Sequence, residues 1–282
     1  MIVQWRARRV PLLAGLFVWG VLGTVAVCHA EAGEIPPQPP VQAAALHLIE
    51  LKSGRVLFTK NATQPLPPAS LTKIMTAVVA LNEASLHDVV RIDARALHYR
   101  SSLKLRRGEQ FLLRDLLAAM LVTSANDACE AIAWHIGGTP ARFVEKMNER
   151  ANALGLTRTH FANPCGFDAP GHYSTAKELA TLTETALQIP EFSMMVRTVE
   201  REIATVDESR RIHLYSTNQL LLDPDVTGVK TGFTTKAGRC LIASMFKDGQ
   251  QLLLVGLNVI DRWEQATRLL RYGHAVMRTG QE

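Results

Sequence analysis

The chain has 282 residues, 47% of them hydrophobic, which suffices for one large or two small domains with a full core. Its net charge of +5 overstates the basicity of the body: Arg6, Arg8 and Arg9 precede the first acidic residue, Glu31, and without residues 1–30 the balance is +2. A near-neutral body with no basic stripe and no interleaved aromatics excludes an electrostatic nucleic-acid binder.

The N-terminus reads as an export signal, with a basic start, an apolar run from Val10 to Val27 and the small-residue pattern Cys28-His29-Ala30 ahead of Glu31. The alternative is an uncleaved membrane anchor, since the run approaches bilayer-spanning length; only then is a membrane contact expected. Either way the body lies outside the cytoplasm. Pro36-Pro37-Gln38-Pro39-Pro40 is a stiff spacer, which makes residues 1–30 the signal, 31–43 the linker and 44–282 one folded domain. With the signal gone, Cys129, Cys165 and Cys240 remain, odd in number and widely spaced. They read as neither a disulfide framework nor a zinc site, and Cys129 as a small buried hydrophobe on a helix.

The body opens with strands. Ala44 to Leu51 is rich in strand formers, Lys52-Ser53-Gly54-Arg55 is a turn, and Val56-Leu57-Phe58 pairs back. Pro67 and Pro68 suit the approach to a helix whose apolar run, Ile74 to Leu81, predicts burial all round. From Asn82 to Ile189 the pattern is mainly helical. Leu112 to Leu121 is one helix, and Asn126 to Ile136 is a second, stopped by Gly137-Gly138. Pro140 to Ala153 is a third, and Thr175 with Glu178 forms a capping box for a fourth that reaches about Gln188.

After Pro190 strands are expected to return. Thr198 to Val206 and Arg211 to Leu214 read as a hairpin; Val226 to Thr231, Arg239 to Phe246 and Gln251 to Ile260 read as three more strands; Arg262 to Met277 is an amphipathic helix. Strands at both ends around a helical middle predict a mixed α+β fold, with one sheet assembled from N- and C-terminal pieces and helices on its faces.

Ser70 stands at the predicted helix start, where unpaired N–H groups and the helix dipole favour an oxyanion, and Lys73 lies one turn on, placed to take its proton. Ser-x-x-Lys also occurs at Ser101 to Lys104, Ser174 to Lys177 and Ser244 to Lys247, so context must single out the first. Two further motifs supply it. Ser124-Ala125-Asn126 sits at a helix junction, where a hydroxyl and an amide can project into a cleft. Lys230-Thr231-Gly232 lies on a strand, and its glycine lets a ligand approach the backbone.

In this order the three motifs resemble those of the penicillin-recognising serine transferases, the penicillin-binding proteins and serine β-lactamases. The chain is most similar to the low-molecular-mass D-alanyl-D-alanine carboxypeptidases. The likeness runs through Pro68-Ala69-Ser70-Leu71-Thr72-Lys73, Ser124-Ala125-Asn126-Asp127-Ala128-Cys129, Asn152-Ala153-Leu154-Gly155-Leu156 and Lys230 to Gly238, and covers Ala44 to Met277.

The resemblance implies the serine β-lactamase/DD-peptidase-like fold, an antiparallel sheet with helices on both faces and a helical middle subdomain. It implies a penicillin-sensitive Ser70 acyl-enzyme that removes the terminal D-alanine of peptidoglycan stem peptides, on the periplasmic or cell-wall side of the membrane. Lys73 would be the general base; moving its amine from ~10.4 to about 7 takes roughly 4 to 5 kcal/mol, expected from burial and from Lys230 as a second cation. Ser124 would relay a proton to the leaving amine and Asn126 would hold the substrate amide. Lys230 and Thr231 would meet the substrate carboxylate, beside Gly232, with Arg262 as a candidate second carboxylate contact. The N–H groups of Ser70 and Phe233 would form the oxyanion hole.

Several residues depart from the family pattern. Ala125 stands where glycine is common, Phe233 where many relatives have histidine, which should alter the cleft floor, and Cys165 where some have histidine. No second β-rich domain or C-terminal membrane helix is expected before Glu282. The alternatives are a DD-endopeptidase that cuts cross-links with the same residues, a β-lactamase, or an inactive cell-wall binding module. The Glu-x-x-Leu-Asn pattern of class A β-lactamases is absent between Asn126 and Lys230, and intact Ser70, Lys73 and Lys230 argue against an inactive module. Phosphate-loop, dinucleotide and zinc-peptidase motifs are missing too, so the expected partners are the stem peptide and β-lactams, with no metal or organic cofactor.

Overall fold

A computed structural model of the protein describes residues 36–97 and 103–279. The export segment and Ser101 lie outside them, and no described helix is long and apolar enough to cross a membrane.

In chain order, β1 (Ala43–Glu50) and β2 (Val56–Lys60) lead through a 3₁₀ turn, Ala69–Thr72, into α1 (Lys73–Glu83). β3 (Val89–Arg91) and β4 (Gln110–Leu112) precede α2 (Leu113–Val122), α3 (Asn126–Gly137), α4 (Pro140–Ala153), α5 (Ala176–Leu187) and α6 (Pro190–Val196). The small pair β5 (Glu200–Ala204) and β6 (Arg211–Tyr215) is followed by β7 (Val226–Thr234), β8 (Gly238–Lys247), β9 (Gln250–Val259) and α7 (Arg262–Thr279).

The main sheet is antiparallel throughout, in the order β2-β1-β9-β8-β7, so the two ends of the body meet at the β1–β9 pairing. Its strands read as continuous apolar runs because both faces are covered. Leu46, Leu48, Leu252 and Leu254 pack under α7 with Ala266, Leu269, Leu270 and Val276, whereas Ala45, Ile49, Leu253 and Val255 belong to the larger core with the middle helices. Gly273 lets α7 lie close on the sheet, since a Cβ there would come within 2.8 Å of Leu48 Cδ2.

The middle is helical as expected, with three differences. Val89–Arg91 and Gln110–Leu112 pair as a short hairpin inside a stretch read as helical; three-residue strands leave no period, and only Val90 and Phe111 face inward. Pro190–Val196 is a helix where strands were expected, begun by proline at its first position and buried along Phe192, Met195 and Val196. The capping box on α5 is half made. Thr175 Oγ1 accepts from Glu178 N at 3.1 Å, but the Glu178 carboxylate turns away to Arg158 N at 2.9 Å and Thr159 Oγ1 at 2.5 Å.

Candidate active site

Ser70 lies in the 3₁₀ turn and Lys73 is the first residue of α1, so the pair shares one tight turn. The residue before the serine, Ala69, is buried with φ at +50°, a conformation an alanine adopts only when its surroundings hold it. A directed chain of hydrogen bonds supplies the hold. Ala162 N–H donates to His172 Nδ1 at 2.9 Å, which leaves the proton on Nε2; Nε2–H donates to Thr72 Oγ1 at 2.8 Å, and that hydroxyl donates to the Ala69 carbonyl at 2.8 Å. Burial lowers His172 to about 4, so the ring stays neutral and the direction of the chain is preserved.

Lys73 is fully buried. Its Nζ lies 3.1 Å from Ser70 Oγ, 2.9 Å from Asn126 Oδ1 and 2.7 Å from the Cys165 carbonyl. Asn126 Oδ1 and the Cys165 carbonyl can only accept. A neutral amine therefore gives its two N–H groups to them and turns its lone pair to Ser70. Burial lowers the amine to about 7, while the carboxylate of Glu130 pulls it back up. The sequence reading assigned part of this shift to Lys230. The repulsion falls on Lys230 instead, whose amine is lowered by burial first, then by Lys73 and Arg262.

Cys165 corrects the reading of the cysteines. Cys129 and Cys165 form a disulfide with Cα atoms 5.9 Å apart, while Cys240 is free and buried. The partners are 36 residues apart and the third thiol makes the count odd, so spacing could not reveal the bond. It fastens the loop 163–168 to α3 and thereby holds the carbonyl that Lys73 uses. Asn163 shapes the loop from within, its Oδ1 accepting from Gly166 N at 2.8 Å and Phe167 N at 3.0 Å. Gly166, at φ +89°, must be glycine, because a Cβ would lie 1.9 Å from the Ala69 carbonyl.

The other wall is β7. Lys230 is 1% exposed and donates to the Thr231 carbonyl at 2.9 Å; Thr231 Oγ1 shares a 2.7 Å hydrogen bond with Thr217 Oγ1. Gly232 brings the strand against the nucleophile, since a Cβ there would sit 3.0 Å from Ser70 N. Phe233 is 64% exposed, so its ring is largely open to solvent. Arg262 reaches from the start of α7 and donates to the carbonyls of Gly232 at 3.0 Å and Cys240 at 3.2 Å, bracing β7 and β8. Asp168 ties the loop to the end of β7 by accepting from Thr234 Oγ1 at 2.6 Å and Lys236 N at 3.2 Å.

Hydrogen bonds thus join Ser70, Lys73 and Asn126, and Arg262 meets Gly232 beside them. Ser124 is half-buried at φ +61°, and among the described residues its hydroxyl has no hydrogen-bond partner. Two of the three other Ser-x-x-Lys copies are spent on structure: Ser174 is buried against Thr159 and Ser244 against Thr227. Sequence reasoning missed Glu130, His172 and Asp168. For Glu130 one signal existed, its position one turn after Asn126 on the same helix face. Among the described residues no group of His, Cys, Asp or Glu is placed to hold a metal ion.

Known proteins share this arrangement of sequence and fold. The profile of the S11 peptidases, D-alanyl-D-alanine carboxypeptidase, matches residues 32–260. The chain is 37% identical over 286 residues to the D-alanyl-D-alanine carboxypeptidase DacD of Escherichia coli, covering 94% of this chain and 71% of that one. It is 33% identical to the D-alanyl-D-alanine carboxypeptidase DacF of Bacillus subtilis, covering 84% of this chain and 64% of that one, so it spans less than two thirds of that relative. The Streptomyces K15 DD-transpeptidase superposes with a TM-score of 0.80 at 29% identity, covering 85% of this chain and all of that one.

Proposed function

The chain belongs to the D-alanyl-D-alanine carboxypeptidase family of S11 peptidases, and we propose that it is itself an exported serine D-Ala-D-Ala carboxypeptidase acting on peptidoglycan stem peptides. Residues 44–282 would be its catalytic domain, behind a signal at 1–30 and a linker at 31–43. The observation that carries this reading is the Lys73 amine, buried, lowered to about 7, and set 3.1 Å from Ser70 Oγ with two acceptors for its own protons.

Ser70 Oγ attacks the carbonyl between the two terminal D-alanines as its proton passes to the Lys73 lone pair. The oxyanion is met by the N–H groups of Ser70 and Phe233; the close approach of β7 at Gly232 to Ser70 N supports this placement. Ser124 passes a proton to the departing amine, the last D-alanine leaves, and water hydrolyses the Ser70 ester. Asn126 spends its Oδ1 on Lys73, so its Nδ2 is the atom left for the substrate amide. The Lys230 ammonium and the Thr231 hydroxyl take the substrate carboxylate. Arg262 contributes through the Gly232 carbonyl, which it already holds. A β-lactam enters the same path and stops at the ester.

Incubation with a labelled penicillin followed by intact mass tests this. One adduct on Ser70, abolished in Ser70→Ala, is expected; undiminished labelling of that variant overturns the reading. Release of D-alanine from a D-Ala-D-Ala pentapeptide, set against cleavage of a cross-linked dimer, then separates a carboxypeptidase from a DD-endopeptidase.

A further inference from the structure

Glu130 has no place in the steps above, yet it sits behind the base. It is 4% exposed on α3, one turn after Asn126 and next to Cys129. Its Oε1 lies 3.5 Å from Cys165 Sγ, and a disulfide sulfur has no proton to donate. Among the described residues no N–H or O–H group donates to this carboxylate. A buried carboxylate without donors is expensive, by several kcal/mol, unless a cation faces it.

Lys73 is that cation. The lysine and the glutamate share the same frame: Asn126, on the helix face of Glu130, accepts from Lys73 Nζ, and so does the carbonyl of Cys165, whose sulfur touches Glu130. Among the described residues, Lys73 is the charged group that acts on Glu130. Arg95 is engaged by Asp93, Asp115 by Arg201 and Lys146 by Glu83. On its own helix Asp127 is occupied by the N–H groups of Leu105 and Ala128. On β7 stands the Lys230 amine, on which protonated Lys73 acts repulsively.

We infer that Glu130 is a positioning residue for the proton: its buried carboxylate stabilises the ammonium that Lys73 becomes when it accepts the Ser70 proton, and so sets the strength of the base. The inference rests on the proposed reading of Ser70 and Lys73. The proton balance is simple. Ser70 Oγ loses a proton as its bond to the acyl carbon forms, Lys73 Nζ holds it opposite Glu130, and it leaves with the amine. Burial raises Glu130 to about 7, with Lys73 opposing, so lysine and glutamate titrate as a coupled pair through neutral pH.

The test is the second-order rate of acylation by a penicillin, measured from about pH 5 to about pH 9 for wild type, Glu130→Gln and Glu130→Asp. Removing the negative charge makes Lys73 a weaker base that is free at lower pH. The acid limb of Glu130→Gln is expected to move down by about one pH unit, and its plateau to fall by roughly threefold. Glu130→Asp keeps the charge and the wild-type midpoint. A purely structural role would lower the melting temperature and leave the midpoint in place. That outcome in folded Glu130→Gln overturns the inference. The titration of the Lys73 ¹³Cε resonance, assigned by its loss in Lys73→Arg, gives a readout that needs no turnover. A lowered midpoint in Glu130→Gln supports the coupling even if wild type fails to be acylated, which would overturn the proposed function alone; an unchanged midpoint overturns the coupling.

Discussion

The two walls of the site are finished to different degrees. On the α1 and α3 side the frame around the base is built before any ligand arrives: Lys73 has its acceptors, Ala69 is held through Thr72 and His172, and a disulfide fixes the loop that supplies the Cys165 carbonyl. On the β7 side the buried Lys230 makes, among the described residues, one hydrogen bond, to the carbonyl of its own neighbour Thr231. A buried amine with N–H groups to spare is placed to meet an anion, whose charge would favour its protonated form. The first wall is built for proton transfer and the second for recognition, and substitutions in each should fail differently.

The largest effect is expected from Lys73→Ala, which removes the base and should slow acylation by about a thousandfold for every β-lactam and peptide alike. A loss that varied with the ligand would break the division of labour.

Next comes the support under the nucleophile. His172 is neutral in the folded protein down to about 4, whereas the unfolded chain takes its proton near 6.5. The sign follows: this contribution is present above 6.5 and is lost as pH falls towards 4, by about 3 kcal/mol in all. Chemical denaturation across that window should show the slope in wild type and a flatter one in His172→Gln. Equal slopes would mean that the ring is not the group held neutral.

The smallest effect belongs to the recognition wall. Lys230→Ala should weaken capture of carboxylate-bearing ligands by about 2 kcal/mol, near thirtyfold, through a raised KM. Esters lacking the carboxylate should be acylated at close to the wild-type rate. An equal loss for both kinds of ligand would put Lys230 among the proton-transfer groups.

Most of the scaffold was legible in the chain. Gln251 to Ile260 announced a strand, Ile74 to Leu81 a helix buried all round, which holds through Ala80 while Leu81 is half-buried, and Pro140 with Gly155 the two ends of α4. These signals are local, because periodicity and capping act within a few residues of themselves. Pro190–Val196 failed as a prediction because seven residues give one short apolar face and no run. The β3–β4 hairpin failed because each strand contributes a single buried side chain.

The site divides along the same line. Ser70 and Lys73 are three residues apart, so their pairing was legible in local sequence, as were the glycine of Lys230-Thr231-Gly232 and the helix start at Asn126; the backbone of Ala69 that presents Ser70 is held by His172, 100 residues from Thr72. What makes Lys73 a base was decided elsewhere. Its acceptors come from 53 and 92 residues away, and the disulfide that steadies one of them closes 36 residues of chain. Desolvation and the field of Glu130 exist only when those segments close around the amine. The sequence determined which groups were present and which backbone each stood on; tertiary packing decided their protons, because pKa depends on burial and on charges that no local pattern encodes.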